Sequence, residues 1–208
     1  MKEKYGEENP EYDLGIKVID RYPDPDVWCY AVTMLLASWN IEYYKEHYGE
    51  EDAVSIFVRH VNDLLPVLER FKDTILRFKS LKLDEIEEYE LENLKPKILE
   101  LYDDISEIVG YTGASKVLHM LAPSFFVMWD SAIRSHPSYN LSTSAEDYFK
   151  FLKMMRNEAI EAVNSYLKDY GLSNYSEARK ELEKVLERPL LKVLDEYNWL
   201  TITRKEEI

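Results

Sequence analysis

The sequence predicts an all-α fold. Apolar residues recur at spacings of three and four almost throughout, and alternating β-branched runs bounded by turn formers are missing. Helix breakers are also scarce, with 6 glycines and 8 prolines among 208 residues. That length suits a compact multi-helix globular domain with a sizeable core. The expectation is an N-terminal arm over 1–24 and a single domain over 25–208 of about eight to ten helices. Two helical lobes are expected to meet near 109–135 and form a cleft there.

Residues 1–24 read as an extended or frayed arm, punctuated by Pro10 and Pro23. Asp24 or Asp26 is placed to cap a first main helix from Val27 to about His47, with Pro25 in its first turn. Trp28, Tyr30, Ala31, Met34, Leu35 and Trp39 make its first half apolar nearly all round, which predicts a central, buried helix. A second helix is expected from Glu51 to Leu64, interrupted or restarted at Pro66. A short basic and apolar piece follows over 71–83, then a strongly acidic one over 84–93. Ile98, Leu101, Ile105 and Ile108 make 97–109 amphipathic. Ser115 to Leu121 reads as a compact helix stopped by Pro123. Residues 135–143 are loop-like. Ser144 then caps a long helix to about Tyr170, with Gly171 as its stop. Ser173 or Asn174 starts another, Arg188-Pro189 breaks it, and a last helix runs from Leu190 to about Trp199.

Lys and Arg number 26 against 40 Asp and Glu, a formal net charge of −14. A general electrostatic grip on nucleic acid or anionic lipid is thereby disfavoured, so any DNA contact must use a local basic patch. From Asp84 to Glu107 ten acids face only Lys95 and Lys97, which reads as a solvated helical face. Arg59 to Lys82 carries six bases against three acids, and Ile108 to Arg156 five against three. An anionic ligand belongs on one of those two stretches.

Cys29 is the one cysteine, which excludes an intramolecular disulfide framework and a cysteine-based zinc site. Set among apolar neighbours, it reads as a small core residue. His47, His60, His119 and His136 form no H-x-x-H or H-x-x-x-H pair, so no metal site is expected. No glycine-rich phosphate loop appears and no cofactor is expected. The charged N-terminus is unlike a secretory leader, and the longest apolar stretch, Val27 to Trp39, is too short to span a bilayer. A cytoplasmic protein is the expectation. The absence of glutamine beside abundant Glu and Lys points to a heat-adapted source.

One segment carries chemistry: Val109 to Ser135, VGYTGASKVLHMLAPSFFVMWDSAIRS. A glycine-bearing turn leads into a short helix expected to begin near Lys116. Proline ends it, and an apolar strand-like stretch (Phe125 to Trp129) delivers Asp130 to the start of the next element. Asp130 is either an N-cap or a carboxylate held in a partly apolar pocket. Lys116 is either a surface lysine or an amine poised beside that pocket. His119, one turn beyond Lys116, is either a base-contacting group or a hydrogen-bonded core histidine.

The segment resembles the helix-hairpin-helix (HhH-GPD) DNA glycosylase superfamily. Gly113-Ala114-Ser115-Lys116 is similar to the end of that family's hairpin, and Met128-Trp129-Asp130-Ser131-Ala132-Ile133 to its aspartate signature. The helix opening at Val27 is similar to the family's first core helix. Thr112 and Ala114 stand where the family hairpin has glycines.

The resemblance implies a diverged glycosylase with AP-lyase activity on damaged bases in DNA. Lys116 would attack the sugar's anomeric carbon to form a Schiff base, and Asp130 would help expel the base. Trp39, Tyr43, Trp129 and Tyr139 would supply stacking, with His119 close to the base. Phosphates would fall to Arg134, Lys150, Lys153 and Lys79. The alternative is a non-enzymatic helical module of the same fold that binds a protein or a small anionic ligand.

Overall fold

The computed structural model describes residues 10–39 and 53–205, and all regular structure among them is helical. The chain divides into two compact units, Met1–Lys72 and Asp73–Ile208. The division falls after Lys72, not at the lobe junction expected near 109–135.

In the first unit, α1 spans Pro10–Arg21, α2 Pro25–Trp39 and α3 Ala53–Arg70. Where it is described, the expected arm is therefore helical, over Pro10–Arg21. Tyr12, Gly15 and Ile19 are buried at three- and four-residue steps, and the Tyr12 ring stacks on Trp39 with centroids 6.0 Å apart. Asp24 caps α2 by accepting the Asp26 amide at 3.0 Å, with Pro25 in the first helical position. α2 buries Trp28, Cys29, Val32, Leu35 and Leu36, yet Tyr30 and Met34 are exposed, so it is one-sided and not buried all round. The continuation expected to His47 lies outside the described residues. α3 runs unbroken through Pro66, because Pro66 sits on the exposed side where water can satisfy the carbonyl it frees. His60, Leu64 and Leu68 form its buried stripe.

In the second unit, α4 (Lys72–Lys79) is followed by α5 (Glu88–Leu121), α6 (Ser131–Ser135), α7 (Ala145–Asp169), α8 (Tyr175–Leu186) and α9 (Leu190–Asn198). α9 continues into a π-helical turn, Trp199–Thr203. The acidic and amphipathic pieces expected over 84–109 join in α5, whose first half buries Leu91, Leu94, Ile98, Leu101, Ile105 and Val109. Its second half, past Gly110, is buried on nearly every side. α7 starts where the sequence places it: Ser144 accepts the Asp147 amide at 3.2 Å, and Gly171, at φ 65°, follows its end. Asn174 caps α8 through the Glu177 amide at 2.9 Å.

Two features tie these helices together. Rings of Tyr102, Trp129, Tyr148 and Phe151 pack with centroids 4.4 to 6.1 Å apart, joining α5, the stretch before α6, and α7. Arg179 of α8 is wholly buried and meets Asp84 at 2.9 Å, while Tyr175 donates to the same carboxylate at 2.9 Å. No described helix is long and apolar enough to cross a membrane.

Candidate functional site

The site is built on a break in α5. Gly110 has φ 75° and ψ 165°, a conformation that side chains strongly disfavour, and the helix restarts at Tyr111. The turning glycine is thus Gly110. Gly113, expected in the turn, is buried inside the restarted helix, and Lys116 lies in its second turn, not at its start. Ser115 and His119 are buried there, and Lys116 is half-buried.

Ser115 fixes the distance between the two halves of the segment. Its hydroxyl accepts the Trp129 amide at 3.2 Å and donates to the Thr112 carbonyl at 2.8 Å, with the Trp129 carbonyl also at 3.2 Å. Ser115 precedes Lys116 and Trp129 precedes Asp130, so this clamp sets the spacing of the two backbones that carry them. A buried hydrogen bond of this kind is costly to remove, because it leaves a buried amide unpaired. His119 adds a second link, its Nδ1 meeting the Phe126 carbonyl at 2.7 Å.

Asp130 caps α6: Oδ1 accepts the Ile133 amide at 2.8 Å. Its other oxygen, Oδ2, accepts the Thr203 hydroxyl at 2.8 Å, from the end of the π-helical turn. The carboxylate therefore has both oxygens engaged, by its own helix and by the C-terminal segment. The Lys116 amine lies within reach of its field. Burial holds that amine at about 8, against an ordinary 10.5; Asp195 and then Asp130 resist the shift, and Lys192 adds to it. At pH 7 roughly a tenth of such an amine is neutral, about three-hundredfold more than for an exposed lysine.

Lys192 and Asp195 of α9 are 4% and 7% exposed and pair at 2.8 Å, with Glu196 at 3.5 Å from the same ammonium. Asp195 is also the principal opposing charge at His119, which is wholly buried; burial drives its imidazole down to about 4. His119 is thus a neutral, hydrogen-bonded core histidine near neutral pH. Its place among the base-contacting residues expected above is not one that faces solvent.

The remaining expected residues are dispersed. Trp129 is 1% exposed, enclosed by Tyr148, Phe151 and Tyr102, with the Arg134 guanidinium 5.4 Å from its ring centre. It is a core ring, not an open stacking platform. Trp39 belongs to the first unit and stacks on Tyr12. Tyr43 lies outside the described residues. The Tyr139 hydroxyl faces Asn198 Oδ1 at 3.0 Å and Glu158 Oε1 at 3.3 Å. Lys150 is paired with Asp147 at 2.6 Å, and Lys153 bridges Glu88 and Glu92 at 2.8 and 2.7 Å. Two of the cations expected to meet phosphate are therefore already matched by carboxylates.

Ser115, Lys192, Asp195 and Thr203 were not singled out by the sequence. Lys192 and Asp195 are spaced i, i+3, a pattern that ordinarily marks a solvated helix face. Their one local signal is position inside a stripe shared with Leu191, which is fully buried. Among the described residues no group of three or more His, Cys, Asp or Glu side chains is arranged to hold a metal ion.

Comparison of the chain with known protein families, characterised proteins and solved structures finds no match.

Proposed function

We propose that the protein is a diverged DNA glycosylase with AP-lyase activity, with Lys116 as the nucleophile and Asp130 as its carboxylate partner. The observation that supports this most is the Ser115–Trp129 clamp, which holds next to each other the two backbones bearing a desolvated amine and a helix-capping carboxylate. Neutral Lys116 attacks the sugar's anomeric carbon as the bond to the base breaks, and the base departs with the bonding pair and a proton. Asp130 stabilises the positive charge that develops on the sugar. The base's proton comes from the attacking amine, which keeps its other one as the ring opens to a protonated Schiff base and the ring oxygen takes a proton from solvent. Loss of a C2′ proton to water then expels the 3′ phosphate and nicks the strand. Depression of the amine to about 8 supplies the free base that the attack requires.

The test is borohydride trapping on duplexes carrying oxidised bases or abasic sites. A covalent protein–DNA adduct that disappears in Lys116→Ala supports the reading. No adduct and no base release across the panel refutes it.

A second reading is favoured by other observations: both Asp130 oxygens are engaged, and Lys150 and Lys153 are spent in ion pairs. On that reading the protein is a non-enzymatic helical module for a protein or a small anionic ligand. Salt separates the two, because each real phosphate contact steepens the loss of affinity by about 0.9 log unit per log unit of salt. DNA binding that is absent or indifferent to salt supports the module.

A further inference from the structure

Asp130 needs only one oxygen to cap α6, and Oδ1 serves there through the Ile133 amide at 2.8 Å. Its Oδ2 is closed by a residue 73 positions downstream, Thr203, whose hydroxyl donates to it at 2.8 Å. That hydroxyl sits at the tip of the π-helical turn Trp199–Thr203, and the two ends of the turn are held unequally. At the root, Asn198 is 3% exposed; its Oδ1 accepts the Tyr139 hydroxyl at 3.0 Å and its Nδ2 meets Met155 Sδ at 3.4 Å. Beyond it Leu200 is the single buried residue, Thr201, Ile202 and Thr203 are half-buried, and Trp199, Arg204 and Lys205 are exposed. The Thr201 hydroxyl donates to the Tyr197 carbonyl at 2.7 Å and the Arg204 amide to the Trp199 carbonyl at 2.9 Å, so both bonds stay within the segment. Such π-helical turns are rare and often found at functional sites.

We propose that this turn is a removable strap, which closes Asp130 to a ligand and opens about Asn198 to admit one. Closed, it occupies the oxygen that a substrate would have to face, because Oδ1 is committed to α6. Opening gives up one charge-assisted hydrogen bond and the cover on Leu200, while the root stays anchored through Asn198. α6 itself is untouched, since its cap bond uses the other oxygen. The ligand is the sugar of a nucleotide flipped from DNA, so this regulation rests on the lyase reading. Asp130 meets the charge developing on that sugar only after the strap has left. A carboxylate with both oxygens engaged is then the resting state of the site, not its working state.

The test uses the full chain and two readouts. One is carbodiimide coupling of glycinamide to the Asp130 carboxyl, followed by mass spectrometry in the absence of DNA. Thr203→Val keeps the side-chain shape and deletes the hydroxyl, so coupling at Asp130 quickens severalfold, up to about tenfold, as expected from the loss of one hydrogen bond to a charged group. Thr203→Ser restores the slow rate, and Thr201→Val, which removes a bond made within the segment, leaves it unchanged. Thr203→Ala serves if the valine variant fails to fold. The other readout is borohydride trapping on a duplex with an abasic site, where Thr203→Val forms the adduct faster than the unaltered protein by a similar factor. Unchanged coupling in Thr203→Val, or equal quickening in Thr201→Val, overturns the proposal. So does trapping in Thr203→Val that is slower than, or equal to, that of an unaltered protein that traps, because the hydroxyl is then no barrier to the reaction. Faster coupling with no adduct from either protein keeps the strap as a cover over Asp130 and removes only the lyase chemistry.

Discussion

Ser115→Ala isolates the clamp beneath the site. The substitution deletes one oxygen atom and leaves the Trp129 amide, which belongs to a residue 1% exposed, without its 3.2 Å partner. An orphaned buried amide costs about 1–3 kcal/mol. The better helix propensity of alanine returns about 0.5 kcal/mol, so the net loss is about 1–2 kcal/mol. Ser106→Ala is the matched control, since Ser106 makes a similar bond to the Asp103 carbonyl at 2.9 Å but one open to solvent. Urea unfolding followed by circular dichroism should show a lower midpoint for Ser115→Ala at unchanged slope, and a change within about 0.5 kcal/mol for Ser106→Ala. Equal effects of the two substitutions would show that the Ser115–Trp129 bond holds nothing together. The same variant should let water toward Lys116 and raise its midpoint from about 8 toward 10.5.

Two further outcomes follow from the same geometry. Gly110→Ala forces a side chain into φ 75°, ψ 165°, and should cost about 1–3 kcal/mol in a thermal melt. His119 titrates at about 4 when folded and near 6.5 when unfolded. The unfolded chain therefore binds the proton first, so stability is intact above about pH 6.5 and falls by up to about 3 kcal/mol on approach to pH 4. Relative to the unaltered protein, His119→Gln should lack that portion of the acid dependence, measured as urea midpoints across the window.

Helix boundaries were legible wherever one residue's chemistry decides them. Ser144 caps the helix that the sequence assigns to it, Asn174 is the one of the two candidates, Ser173 and Asn174, that caps α8, and Pro189 stands at the start of α9. They failed where context decides. Pro66 reads as a break, but its exposed position makes the lost hydrogen bond cheap. Gly110 and Gly113 are equally good turn formers on paper, and only packing selects which one adopts positive φ. Tyr30 and Met34 look like core residues until the neighbours of α2 are known.

The site divides along the same line. Lys116, His119 and Asp130 lie within fifteen residues, so one segment reveals them. Their partners Lys192, Asp195 and Thr203 arrive from sixty or more residues downstream. No local pattern distinguishes a buried i, i+3 ion pair from a solvated one, because the sequence records spacing but not what covers the face.

The wider coil at the end of α9 has a geometric consequence. In a regular α-helix Thr203, eight residues beyond Asp195, points roughly 80° away from it around the axis. The Arg204 amide instead reaches back five residues to the Trp199 carbonyl at 2.9 Å, and each residue there turns through a smaller angle. Those smaller steps carry Thr203 back toward the Asp195 side of the rod. One inserted residue's worth of slack thus turns the Thr203 hydroxyl at the end of the rod toward Asp130. Trimming that slack would swing the hydroxyl off Asp130 while leaving the rod itself intact.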